Sequence, residues 1–202
     1  MKIILSAVAL TALIAQSNDF ISTWKAPGAA PTSFAGQKVA AVLIVDDHNL
    51  RVSAEEALAN EISARGPIGM PAYRIIPKEE LAKKDAAKGW FERAGIRGLV
   101  ILRLVETEKE KVYSSAVWSS GYYGNAWDYW GNGWATVYPI GKPREETTIT
   151  VETMVYDLAK GAPLWAAASR TTDPKNVQTY VKRLVSDVAK RLERDGLITK
   201  NR

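Results

Sequence analysis

Apolar and polar positions change period along this chain, and each change marks an element. Lys38-Val-Ala-Ala-Val-Leu-Ile-Val45 is a nearly unbroken apolar run, short and β-branched at both ends. That is the composition of a strand buried on both faces. Leu58 and Ile62 then fall four apart, Ser53 and Glu56 have the spacing of a capping box, and Gly66 after Arg65 supplies a stop. Together they predict a helix opening near Ser53. Pro67 to Pro71 reads as a turn, and Tyr73–Ile76 as a short strand closed by Pro77. Lys78 to Ala94 is helical in propensity, with Leu81, Trp90, Phe91 and Ala94 as its apolar side, Gly89 as a point of division and Gly95 as its close. Gly98 to Val105 is a second strong strand that runs on toward Glu106.

Later in the chain the period becomes two. Thr147 to Tyr156 alternates, with Ile149, Val151 and Val155 on one side. Lys160-Gly161 marks a turn, and Leu164 to Thr171 returns as the partner strand of a hairpin. Asp173-Pro174 is an N-cap followed by proline at the first helical position. Val177, Tyr180, Val181, Leu184, Val185, Val188 and Leu192 then recur at helical spacing as far as Gly196. The order β-α-β-α-β-β-β-α predicts an α+β fold, an α/β sandwich with one mixed sheet. The early strands, separated by helices, should pair in parallel, and the late hairpin should be antiparallel. One domain is expected over residues 38–202, with a Gly/aromatic insertion at 114–146 before the last hairpin. Residues 18–37, rich in Pro, Gly and small side chains, read as an extended lead-in with Trp24 docking on the body.

Composition changes this picture in two places. With 47% hydrophobic and 24% charged residues, a 202-residue chain can build a core without staples. The formal charge of +5 is not gathered into one face, so nucleic acid is not an expected partner. There is no cysteine, which excludes disulfides, Cys-bound metals, thiol nucleophiles and a lipidated cysteine. The second place is the start. Met1-Lys2 precedes an apolar run from Ile3 to Ala15, and Ala15-Gln16-Ser17 gives small-x-small spacing. These are the parts of a secretory signal peptide over residues 1–17. The expected location is therefore outside the cytoplasm, periplasmic or envelope-associated, without a lipid anchor.

A resemblance can be named on these features. The leader, the Trp24-x-x-Pro27 lead-in, the buried first strand, a helix carrying Glu55-Glu56, the hairpin Val155-Tyr-Asp-Leu-Ala-Lys-Gly-Ala-Pro-Leu-Trp165 and the C-terminal helix follow in order. Together they resemble a group of exported bacterial envelope proteins, many of them lipoproteins. Their α/β domain is similar to the N-terminal domain of TolB and to the curli-secretion lipoprotein family. The resemblance implies an accessory, assembly or binding role rather than an enzyme, and it supplies no catalytic residues. The missing lipidated cysteine is where this chain departs from the lipoprotein members.

Candidate chemistry is sparse. Asp46-Asp47-His48 follows the first strand at the edge where open α/β sheets bind ligands. His48 is the single histidine, and the remaining ligands of a metal site are not evident, so the trio reads as a solvated turn with a capping role. No G-x-S-x-G elbow, phosphate-binding loop or dinucleotide fingerprint is present. Glu106, Glu108 and Glu110 with Lys109 and Lys111 read as a solvated strand end. No cofactor and no catalytic residue are expected. The basic side of the last helix, with Lys182, Arg183, Lys190, Arg191 and Arg194, suits solvent or peripheral contact with acidic lipid.

What remains is Trp118 to Tyr138, which holds four of seven Trp and four of eight Tyr. Between Lys111 and Lys142 its only charge is Asp128. Three readings apply: a hairpin or ordered loop whose rings pack on each other and on the sheet, a contact surface for an envelope protein or membrane, and a stacking platform for glycan or peptidoglycan. Gly121, Gly124, Gly131 and Gly133 argue against a continuous strand. For a contact surface the expected residues are Tyr122, Tyr123, Trp127, Tyr129 and Trp130.

Overall fold

The structure, a computed structural model, describes residues 19–29, 34–106, 118, 123–137, 148–172 and 177–198. The expected leader, Tyr122, Glu108, Lys109, Glu110, Lys111, Asp173 and Pro174 lie outside them. In chain order the elements are β1 (Asp19–Lys25), β2 (Lys38–Ile44), α1 (His48–Ser63), β3 (Ile68–Pro71), α2 (Lys84–Ala94), β4 (Ile96–Glu106), α3 (Ala126–Ala135), β5 (Thr148–Asp157), β6 (Ala162–Thr172) and α4 (Val177–Arg194). They form the α+β fold expected, a mixed six-stranded sheet ordered β1-β6-β5-β4-β2-β3. The pairing splits as the connections require. β2 runs parallel to β3 and β4, whereas β4, β5, β6 and β1 pair antiparallel.

Alternation along the strands divides the core into two layers. Val39, Ala41, Leu43, Val100, Leu102, Val151 and Val155 face α1 and α4. Ala40, Val42, Ile44, Leu99, Ile101, Met154 and Tyr156 face α2 and α3. The shared side expected for Ile149, Val151 and Val155 is the one they occupy.

Several boundaries differ from the sequence reading. The lead-in contributes a sixth strand. Asp19–Lys25 pairs with β6, with Trp24 packed against the α2/α3 core and a register shift at Ile21 that interrupts the alternation. Helix α1 begins five residues before Ser53, because Asp47 is its N-cap and accepts from the Leu50 N–H at 2.9 Å. Ser53 is therefore interior, and Glu56 pairs with Arg74 and accepts from the Tyr73 hydroxyl. The third strand is Ile68–Pro71, and Tyr73 lies in a 3-10 turn at Ala72–Arg74. Gly69 permits this, since a Cβ there would stand 2.0 Å from the Ala59 carbonyl oxygen of α1. Helix α2 passes through Gly89 without a break, after a separate 3-10 turn at Lys78–Glu80.

β3 pairs with β2 only from Lys38 to Ala41. The next donors on that edge find a carboxylate instead. Glu55, fully buried on α1, accepts from the Leu43 N–H at 3.1 Å and the Tyr73 N–H at 2.7 Å, with Arg51 3.4 Å away. Burial pushes Glu55 up to about 7 despite Arg51 and the two backbone donors.

Candidate functional site

From Ala126 to Ala135 the aromatic segment is a helix rather than a hairpin or loop. Asn125 starts it, its side-chain oxygen accepting from the Trp127 and Asp128 N–H groups at 3.0 and 2.9 Å. Ala126, Tyr129, Trp130 and Gly133 then fall at i, i+3, i+4 and i+7, and all four are buried. The approach is close at Gly133, where a Cβ would meet Ile44 Cδ1 at 2.6 Å and that methyl would have to move aside. With two glycines inside ten residues, α3 is weak in propensity and depends on tertiary packing.

That packing is aromatic. Phe91 of α2 meets Trp130 edge-on at 5.3 Å and lies 6.2 Å from Trp127. Tyr129 stands 5.5 Å from Tyr123 and 6.3 Å from Tyr156, and Trp118 stands 5.0 Å from Tyr123. The polar tips are placed as carefully as the rings. Trp130 Nε1 donates to the Leu81 carbonyl at 2.7 Å, and the Tyr156 hydroxyl donates to the Tyr123 carbonyl at 2.9 Å.

Trp118 Nε1 donates to Ser22 Oγ at 3.4 Å, the Trp134 indole N–H is buried without a partner among the described residues, and the Tyr123 and Tyr129 hydroxyls converge on Glu152 of β5. Arg103 Nη1 donates to its Oε2 at 2.8 Å, the Tyr123 hydroxyl to Oε1 at 2.9 Å, and the Tyr129 hydroxyl to Oε2 at 3.3 Å. Arg103 and Glu152 are direct partners in the β4/β5 register, so the ladder itself brings them together. Arg103 Nη2 reaches Thr136 Oγ1 at 2.5 Å, just past the end of α3. Burial and the neighbouring Glu152 charge hold the Tyr129 hydroxyl well above its usual value, so it stays protonated as a donor. Glu152 and Tyr129 are fully buried, and Arg103 is 3% exposed. The cluster positions α3; it is closed to a substrate.

The residues expected to form a contact patch therefore separate. Tyr123, Tyr129 and Trp130, named for the contact-surface reading, are buried and so are not available to a partner, because each ring has sheet and helix neighbours to pack on. Trp127 is half-buried, and Tyr122 lies outside the described residues. The outer side of α3 carries Trp127, Asp128, Gly131, Asn132 and the half-buried Trp134, which sequence reasoning did not single out. Asp128 pairs with Lys84 of α2 at 2.6 Å, and that hydrogen bond holds its carboxyl below the usual value. Trp90 of α2 is also half-buried and lies under the Arg93 guanidinium, 4.3 Å from the ring centroid.

Asp46, Asp47 and His48 are all exposed at the start of α1. Among the described residues no group of three His, Cys, Asp or Glu is placed to hold a metal ion. No described helix is long and apolar enough to cross a membrane. Sequence reasoning also missed Arg103, Glu152, Tyr156 and Thr136. Its available signal was a charge in the middle of each of two otherwise buried strands, which demands a partner.

No protein-family model matches the chain, and comparison with curated proteins finds no match. Among solved structures the chain is similar to a PelC dodecamer from Paraburkholderia phytofirmans, at 16% identity and a TM-score of 0.46, over 85% of this chain and 94% of that one. A point variant of that PelC gives 17% identity and 0.47, over 89% and 99%. Lipoprotein GNA1162 from Neisseria meningitidis gives 14% and 0.39, over 78% and 96%. Likeness at this level carries no statement about activity or partner.

Proposed function

We propose that this chain is a non-enzymatic, exported protein of the cell envelope with an accessory or binding role, and that it contacts an envelope protein through the outer side of α3. Export rests on the basic start, the apolar run from Ile3 to Ala15 and the small residues at its exit. The order of motifs behind the resemblance to TolB-like and curli-secretion lipoprotein-like domains supports the accessory role. One observation carries the contact. Helix α3 is fixed from beneath by buried rings, and its outer side keeps Trp127 and Trp134 half-buried with a single, already paired, charge. Rigidly held tryptophans with little charge around them are the composition of interface hot spots.

The test replaces Trp127 and Trp134 by Ser in the full chain. The expected result is retained structure by circular dichroism and loss of the envelope partner recovered by crosslinking in cells. Unchanged recovery by the folded variant would contradict the reading. Asp128 and Asn132 beside the two rings also suit a sugar, which is the alternative. It predicts co-sedimentation with purified peptidoglycan that the same substitutions abolish.

A further inference from the structure

On the opposite face of the sheet, α1 and α4 leave an apolar cavity of about 90 Å³. Its floor includes Val39 and Val100, its walls Leu58 of α1 and Val188 and Leu192 of α4, and it is open on one side. No side chain of this floor or these walls offers a hydrogen bond. The rim holds Glu61 and Arg65, and Arg65 is already committed. It donates to Glu61 Oε2 at 2.7 Å and, across the two helices, to Glu193 Oε1 at 3.0 Å.

We infer that this cavity is a binding site for the end of an unbranched aliphatic chain belonging to an amphiphile with an uncharged head. Three features select that ligand. The side chains of this floor and these walls are all hydrocarbon, which excludes a polar group from the interior, since burying one unpaired costs more than burying carbon returns. The volume sets the depth: an apolar cavity of about 150 Å³ holds a benzene ring, so this one takes roughly three or four carbons of a chain. The rest of the chain leaves through the open side. At the rim two carboxylates share the Arg65 guanidinium, so among the described residues a head group with its own carboxylate meets a net negative charge and finds Arg65 occupied. The site is independent of the contact proposed for α3, which lies across the sheet.

The test titrates the full chain with 1-monodecanoylglycerol and with decanoate at pH 8, both below their micellar concentrations. Binding is followed by calorimetry and by the rise in Tm. The glyceride should bind saturably, and decanoate about tenfold more weakly or less well still. Val188→Phe, which fills the cavity, should lower glyceride affinity by at least about tenfold while the chain stays folded. If circular dichroism shows that Val188→Phe does not fold, Ala189→Leu, on the same wall, replaces it. Absence of saturable binding by the unaltered chain, equal binding by the filled variant, or equal binding of decanoate would each overturn the proposal. So would a ligand-free dimer abolished by the filled variant, because that would assign the cavity to a second copy.

Discussion

The face of the sheet that carries α1 and α4 is lined mainly with aliphatic side chains, whereas the face that carries α2 and α3 is rich in rings, two of whose hydroxyls share one carboxylate. The aliphatic face needs only volume to be filled, and the helices there can leave a cavity without stranding any polar atom. The aromatic face has no such latitude. The hydroxyls of Tyr123, Tyr129 and Tyr156 and the Trp130 N–H each need a partner, so the register of β4 against β5 and the placement of α3 are tied together, with the Trp134 N–H left buried without one among the described residues. Each face also hides a carboxylate, held differently. Glu152 is met by Arg103 and two tyrosine hydroxyls, while Glu55 is met by two backbone N–H groups and Arg51.

The comparison breaks most visibly at Glu152. Glu152→Ala leaves Arg103 charged and buried and removes the acceptor of Tyr123 and Tyr129, so unfolding in urea should show a loss of about 3–5 kcal/mol. Trp130→Ala empties the space beside Phe91 and should cost a similar ~3–5 kcal/mol, although α3 is an insertion between two strands. A cost below about 0.5 kcal/mol for Trp130→Ala is what a solvent-facing ring would give.

Glu55 sharpens the contrast through pH. Its folded value, about 7, lies above the ordinary 4.5, so the folded protein holds this proton more tightly than the unfolded chain. Its contribution is present in full below about pH 4.5, is lost as pH rises through 7, and then stays constant. A shift of that size is worth about 3 kcal/mol. Glu55→Gln, compared with the unaltered chain by urea unfolding at intervals from pH 4.5 to 8, should remove this decline. Parallel curves would show that Glu55 titrates normally.

The smallest effect belongs to the start of α3. Asn125→Ala removes the acceptor for two N–H groups and should cost about 1 kcal/mol in the same assay.

Much of this architecture was legible from the order of residues, and the exceptions share physical causes. β2 and β4 announce themselves as apolar runs, and β5 and β6 as a hairpin, because burial on a sheet imposes those patterns directly. β1 hides because its register shift at Ile21 breaks the alternation. β3 hides because Gly69 and Pro71 look like a turn, while Gly69 is there to let the strand pass under α1. Helix α3 hides for the same reason. Gly131 and Gly133 lower its propensity, yet the cap at Asn125 and the spacing Ala126, Tyr129, Trp130, Gly133 are helical. Arg103 and Glu152 were visible as charges within strands, but their meeting depends on a register that only the folded sheet sets.

The inward turn of the aromatic segment is tested most directly by hydrogen–deuterium exchange of the tryptophan indoles, followed by NMR. Trp130 Nε1–H, buried and bonded to the Leu81 carbonyl, should exchange only as fast as the whole molecule unfolds, while the half-buried Trp127 indole exchanges far sooner. Exchange of Trp130 at the rate of Trp127 would place both rings on the surface and contradict the account.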